Sequence, residues 1–120
     1  MSVTIQPVIM TADLDRLQTF YTALLGAVES TRVPDDGTPF FVGLRMGDAE
    51  LGLVADAGAA DIAGSRILLS VGVADVDALL PRVAELGGLL TGGPTDMPWG
   101  QRVAHINDPD GNAVNLTQQI

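Results

Sequence analysis

The sequence contains no cysteine and only one histidine. Without cysteine it has no disulfide framework, no thiolate nucleophile and no zinc site of the cysteine type. The usual metal ligands are therefore reduced to His105 and the carboxylates.

Long apolar runs are also missing. Hydrophobic residues make up 47% of the chain, yet no run approaches the ~20 apolar residues that a membrane span needs. The first residues show no basic region followed by an apolar stretch of signal-peptide length. Because 120 residues suffice for one domain with a buried core, we expect a single soluble domain in the cytoplasm, with no membrane partner.

Basic residues are few and scattered. Six of them stand against 15 acidic residues, which gives a formal net charge of −9. This balance argues against a nucleic-acid partner, because a phosphate backbone is bound through clustered lysine and arginine. The negative field either attracts cationic ligands toward a cleft or serves solubility alone.

The sequence does contain an internal repeat. The stretch ADLDRLQTFYTALLGA that begins at Ala12 returns as ADVDALLPRVAELGGL, which begins at Ala74. Two copies with a period of about 60 residues are too few and too long for a solenoid. The repeat predicts one domain of two equivalent modules, residues 1–55 and 66–120, joined by a linker over residues 56–65.

The first module is predicted to contain one strand, one helix and three further strands. The helix begins at Asp13, ends at Gly26 and buries a stripe at helical spacing that consists of Leu14, Leu17, Tyr21, Leu24 and Leu25. Turn formers predict a loop over residues 33–39. The strands are predicted over residues 3–10, from residue 27 to residue 32, over 40–46 and over 50–54, with Gly47-Asp48 joining the last two.

The second module repeats this βαβββ order. Its helix is predicted from Asp75 to Leu86, with an irregular first turn because Pro81 removes a backbone donor. A long turn-rich loop is predicted over residues 91–100, and it contains Trp99. The strands are predicted over residues 67–73, from residue 89, and over residues 102–106 and 113–118. The fold class is therefore α+β.

Several motifs carry a family resemblance. They are the two βαβββ modules, the Asp-Leu-Asp and Asp-Val-Asp helix starts, Phe20-Tyr21, Pro98-Trp99-Gly100, and DPDGN over residues 108–112 before an apolar strand. Together they resemble the vicinal oxygen chelate superfamily, which includes glyoxalase I, extradiol dioxygenases, fosfomycin-resistance thiol transferases and bleomycin-resistance proteins. The resemblance implies two four-stranded curved mixed sheets around a cavity, usually in a homodimer.

The resemblance also implies where a metal ion would be bound. The enzymes of the family hold a divalent metal with His, Gln and Glu on the first and last strands of each module. The matching positions here are Gln6, Gly52, Leu68 and Asn115, and a slip in the alignment of Gly52 would offer Leu51 or Glu50. An open catalytic site normally has about three protein ligands. We therefore expect no metal site and no cofactor, although Gln6 remains either a weak ligand or a residue paired with backbone.

Five residues are candidates for ligand contact: Gln6, Phe41, Trp99, His105 and Asn115. Trp99 either stacks on a planar ligand or anchors its loop in the core. Of Phe40 and Phe41, one is expected to face the cavity and the other the helices, and we assign Phe41 to the cavity. His105 either contacts ligand or is structural, and no orienting partner for it is evident in the sequence. Asp35, Asp36 and Asp96 either attract a positive ligand or are only solvated.

The function indicated is a metal-free small-molecule-binding protein of the bleomycin-resistance type, which sequesters an antibiotic or another aromatic or cationic ligand. The alternative is a metal-dependent lyase, isomerase or dioxygenase with an atypical metal site. A third interpretation is a dimeric interaction module whose cavity is filled by its own side chains. One fold hosts many chemistries, so whether the protein is an enzyme is left open, with a preference for a binding protein.

Overall fold

Two βαβββ units make up the chain, and they divide between residues 62 and 63. The computed structural model describes residues 6–61 and 67–120. The first unit contains β1 (Val8–Thr11), α1 (Leu14–Leu25), β2 (Val28–Val33), β3 (Phe41–Met46) and β4 (Ala49–Ala55). Its four strands form one mixed sheet in the order β1-β4-β3-β2, in which only β1 and β4 are parallel.

The second unit repeats the arrangement with β5 (Leu69–Gly72), α2 (Val76–Glu85), β6 (Leu89–Met97), β7 (Gln101–Asn107) and β8 (Ala113–Gln119). Its sheet has the order β5-β8-β7-β6, with β5 and β8 parallel. The predicted α+β class and the two βαβββ modules are confirmed. No helix in the described part of the chain is long and apolar enough to span a membrane.

The helix starts and stops follow the sequence signals. Asp13 caps α1 by accepting from the backbone N–H of Arg16 at 3.1 Å, and Asp75 caps α2 by accepting from that of Ala78 at 3.2 Å. Gly26 ends α1 with a φ of 70°, a left-handed conformation that glycine adopts without a steric penalty. The repeated Ala-Asp-x-Asp sequence therefore marks two capped helices.

One face of each sheet is covered by its helix. On the first sheet this face contains Val42, Leu44, Leu51 and Leu53, which are buried with the apolar side of α1. On the second it contains Ala104, Ile106, Val114 and Leu116. Because successive strand residues point to opposite faces, the other residues of each strand form a second face, which we call the open face of that sheet.

Some boundaries differ from the predictions. The loop expected over residues 91–100 is wrong for most of its length, because β6 continues to Met97 and pairs with β7 from Thr95 to Met97. α2 is helical through Pro81 without a break, so the irregular first turn is not observed. In α1, Phe20 is buried while Leu25 is only half-buried.

The linker prediction is only partly covered by the structure. Ala57–Asp61 forms a short 3-10 helix that the sequence did not indicate. Residues 62–65 of the linker, and the predicted strand residues 3–5, lie outside the described residues.

Candidate functional site

The open face of the second sheet brings together two of the five candidate residues. His105 on β7 lies directly opposite Asn115 on β8, and the imidazole Nδ1 is 2.6 Å from the Asn115 Oδ1. Asn115 is half-buried and His105 is exposed. Both residues are candidates from the sequence, but their contact with each other is not predicted by it.

This contact favours the tautomer of the neutral ring in which the Nδ1 of His105 carries the proton. An amide oxygen can only accept a hydrogen bond. With the Asn115 Oδ1 toward the ring, the Nδ1 donates, and the Nε2 then holds the free lone pair. The partner that orients His105, which was not evident in the sequence, is therefore the amide of Asn115.

The neighbouring strand β6 leaves the other edge of the imidazole uncovered. Gly92 lies opposite His105, and a Cβ added to Gly92 would lie 3.3 Å from the imidazole Cδ2. The Cδ2 is bonded to the Nε2, so a side chain at residue 92 would crowd the edge that carries the lone pair. Thr91 also helps to hold this segment, because its hydroxyl donates to the backbone carbonyl of His105 at 3.1 Å.

Polar but uncharged side chains surround the pair. In the described residues, the registers of β5 to β8 place no Asp, Glu or Arg on this open face. Its hydrogen-bonding side chains are Ser70, Thr95, Gln101, His105, Asn107, Asn115, Thr117 and Gln119. The face can therefore bind amide and hydroxyl groups, and it offers no ionic partner.

Trp99 occupies the tight turn between β6 and β7. Its side chain is 66% exposed, which contradicts the alternative of a core anchor. The indole Nε1 donates to the Gln101 Oε1 at 2.9 Å, so the ring is tied to the start of β7. The expectation of a long turn-rich loop around Trp99 is wrong because β6 is paired up to Met97.

The open face of the first sheet is mostly apolar. Val8, Met10, Val28, Val33, Phe41 and Val54 lie on it, and an ion pair between Arg45 and Glu50 lies among its polar residues. Phe41 is half-buried on this face, while Phe40 precedes the strand and is 55% exposed. Phe40 is thus not packed under the helix as the alternation suggested.

Phe41 covers the position that the resemblance assigns to a metal ligand. A Cβ added to Gly52 would lie 3.0 Å from two ring carbons of Phe41 and 3.0 Å from a methyl group of Val8. The ring therefore fills the space that a ligating side chain at this position would need. Gln6 lies just before β1 and is exposed.

The family's metal does not fit the residues at these positions. Gly52 has no side chain, Leu68 offers only hydrocarbon, and Asn115 is engaged by His105. Within residues 6–61 and 67–120, no three His, Asp or Glu side chains are grouped so that they could hold a metal ion. No chemical step through a protein-bound metal is therefore derived.

Arg102 forms an ion pair with Asp96. Its guanidinium donates to Asp77 of α2 at 2.9 Å and to Asp96 of β6 at 2.9 Å. These two hydrogen bonds raise the pKa of Arg102 above its ordinary value. The contact with α2 places the group on the helix side of the second sheet, so Asp96 is not among the residues of the open face. Asp35 and Asp36 lie exposed in the loop before β3.

The DPDGN segment forms a hydrogen-bonded turn. Asp108 is 2% exposed, and its carboxylate accepts from the backbone N–H groups of Asp110 and Asn112 and from the Asn112 amide. These bonds fix the turn between β7 and β8. Because Asn107 pairs with Ala113 at its base, the same turn sets His105 opposite Asn115.

Comparisons with known proteins agree with this architecture. Residues 4–116 match the family described as the Glyoxalase/Bleomycin resistance protein/Dioxygenase superfamily. No curated protein sequence matches the chain.

Three solved structures illustrate the range of similar proteins. An enzyme of this superfamily from Burkholderia phytofirmans PsJN has 24% identity and a TM-score of 0.81, covering 96% of this chain and 97% of its own. The bleomycin-binding protein of Streptomyces verticillus, complexed with copper(II)-bleomycin, has 24% identity and a TM-score of 0.65, covering 100% and 98%. The fosfomycin resistance protein FosX of Listeria monocytogenes has 14% identity and a TM-score of 0.78, covering 100% and 95%.

At these identities the structures show the fold alone. The family match, in contrast, covers nearly the whole chain. The chain belongs to the glyoxalase/bleomycin resistance protein/dioxygenase superfamily.

Proposed function

We propose that this protein is a metal-free member of its superfamily that binds and sequesters a small molecule bearing an aromatic group, such as an antibiotic. The observation that carries the proposal is the loss of ligating chemistry at the family's metal positions. Phe41 covers Gly52, and His105 engages Asn115. Two places that would hold a metal in an enzyme are thus occupied by the protein's own side chains.

The contacts proposed for the ligand differ between the units. Phe41 offers an aromatic edge on an apolar face, and Trp99 offers a largely exposed indole for stacking. His105 and Asn115 offer hydrogen bonds, and the exposed amide of Gln6 offers another. The net charge of −9 favours a ligand that also carries positive charge.

Among similar proteins, one binds bleomycin and one confers fosfomycin resistance. Metal-free bleomycin is therefore the first probe. Trp99 is the only tryptophan, so a fluorescence titration reports on one turn. We expect saturable quenching at micromolar or tighter Kd, and the same Kd after the protein has been treated with a chelator.

A flat titration, with no heat in calorimetry, would contradict sequestration of bleomycin. The enzyme alternative makes the opposite prediction for metal, namely bound metal after purification and an activity that chelation removes. Trp99→Ala, followed by calorimetry, should weaken binding while the melting temperature stays near that of the wild type, because the side chain is exposed.

The proposal includes one domain of two modules and a homodimer. A single cooperative unfolding transition is expected for one domain. Sedimentation velocity measures the oligomeric state, and a monomer at micromolar concentration would contradict the proposed homodimer.

A further inference from the structure

We propose that the Nε2 of His105 is a hydrogen-bond acceptor that recognises an uncharged N–H or O–H group, such as an amide, a phenol or an alcohol. This inference rests on the proposed function and specifies the chemistry of one part of the ligand. It follows from three properties of the open face of the second sheet.

The first property is the fixed ring orientation. Asn115 holds the Nδ1 at 2.6 Å, and β7 and β8 hold the two residues in register. With the Nδ1 as donor, the neutral ring presents only a lone pair at the Nε2. A ligand group that can only accept hydrogen bonds gains nothing there.

The second property is the space beside the Nε2. The ring is exposed, and its Cδ2 edge faces Gly92, where a Cβ would lie at 3.3 Å. A residue with a side chain at this place in β6 would narrow the approach to the lone pair. Glycine leaves that approach open.

The third property is the absence of charge on the described face. The seven other polar side chains of the face are uncharged, namely Ser70, Thr95, Gln101, Asn107, Asn115, Thr117 and Gln119. The charged groups of the neighbouring strand and helix, Asp96, Arg102 and Asp77, pair with one another on the helix side.

No carboxylate of the described face therefore competes with the Nε2 for the donor. No cation is present there to attract an anionic group. The matching chemistry is a neutral donor, flanked by groups that bind the amides and hydroxyls of the face.

The first test needs no ligand. The chain contains one histidine, so nitrogen-15 NMR of the imidazole gives a single set of signals. In mildly alkaline buffer we expect the proton on the Nδ1 and a bare Nε2. Asn115→Leu should abolish the preference for a proton on the Nδ1. Asn115→Asp, which keeps an acceptor oxygen, should retain that preference. Asn107→Leu is the matched control on the same face. A proton on the Nε2 of the wild type overturns the inference.

The second test uses phenol and anisole, which share a ring and differ in the O–H group. Phenol should shift the Nε2 signal in a saturable way, and anisole should not. Equal responses to the two compounds overturn the inference. Gly92→Val, as a single substitution, should weaken the phenol response while the Nδ1 keeps its proton.

Bleomycin separates this inference from the proposed function. If bleomycin binds, His105→Phe should raise its Kd about 3- to 10-fold, the loss expected for one hydrogen bond. An unchanged Kd overturns the inference and leaves sequestration standing. If bleomycin does not bind while phenol shifts the Nε2 signal and anisole does not, sequestration of bleomycin is refuted and the inference stands.

Discussion

The open faces of the two sheets differ although the sheets share one strand order. In the first sheet, Val8, Gly52 and Gly43 lie side by side across three strands. The equivalent row in the second sheet is Ser70, Asn115 and His105. The helix-covered faces, in contrast, have a buried apolar core in both units.

This difference shows which positions the fold constrains. The positions buried under each helix are apolar because their burial supplies the stability of the unit. A position on the open face must only keep the strand paired, so its side chain is free to serve recognition. Two copies of one scaffold can therefore keep the same core while one face becomes apolar and the other polar.

The largest predicted effect tests the part that the units share. Leu53 and Leu116 occupy equivalent places, one residue after Gly52 on β4 and after Asn115 on β8. Both are 0% exposed, and each is replaced by alanine. Each substitution should cost about 2–5 kcal/mol of unfolding free energy, since it removes packed methyl groups and leaves a cavity. Urea denaturation followed by circular dichroism measures this loss. Leu89→Ala, a control at an exposed residue, should change the unfolding free energy little. If one of the two core substitutions also had only a small effect, the two cores would not be equivalent.

The next effect tests the difference itself. Gly52→Asn gives the first unit the residue found at the equivalent place in the second. The new side chain would collide with Phe41, and we expect a loss of roughly 1–3 kcal/mol from overpacking. Thermal unfolding measures it. Gly52→Asn should cost less stability in a Phe41→Ala background than in the wild type, because the ring is no longer there. Equal costs in the two backgrounds would show that the ring does not fill this space.

A smaller effect compares the two helix caps. Asp13→Ala and Asp75→Ala should each lower the unfolding free energy by about 1 kcal/mol, because each removes an acceptor for a backbone N–H at the start of a helix. Asp13→Asn and Asp75→Asn keep that acceptor and serve as controls. If the asparagine variants lost as much as the alanine variants, charge and not capping would explain the effect.

The smallest effect concerns the ion pair on β2. Glu29 accepts from Arg32 at 2.8 Å and from Gln18 of α1 at 2.8 Å, and these bonds lower its pKa below the ordinary value of 4.5. A lowered pKa means that this contribution is complete above pH 4.5 and is lost as the pH falls through the folded-state pKa. Melting temperatures of wild type and Glu29→Gln should therefore differ slightly at neutral pH and converge in acid. A constant difference would show that the carboxylate charge is not involved.

Much of the fold could be predicted because its signals are local. The capping aspartates, Gly26, the Gly47-Asp48 turn and the buried alternation are each set by neighbours in sequence. The start of β6 was predicted, but its continuation to Met97 was not, because Gly92, Gly93 and Pro94 are typical of turns. In the structure the register shifts between Gly92 and Thr95, so Pro94, which has no N–H, lies where the ladder is interrupted. Pairing with β7, which is a tertiary effect, then outweighs the local propensity.

The site was less predictable because it depends on register across strands. His105 and Asn115 were both selected from the sequence, but their contact was not. Counting back from the DPDGN turn, with Asn107 opposite Ala113, would have found it. The ring of Phe41 over Gly52 has no comparable signal, because it depends on a rotamer that the surrounding packing selects.

The buried carboxylate of Asp108 has a consequence for changes in chain length. A residue inserted within 108–112 would break the hydrogen bonds to Asn112 or displace β8 by one position along β7. A displacement of one position turns every later side chain of that strand to the opposite face, so an apolar neighbour would replace Asn115 beside the imidazole. We therefore expect natural insertions to accumulate in the exposed loop before β3 rather than in this turn. The number of residues between β7 and β8 is as much a part of the chemistry of His105 as the imidazole itself.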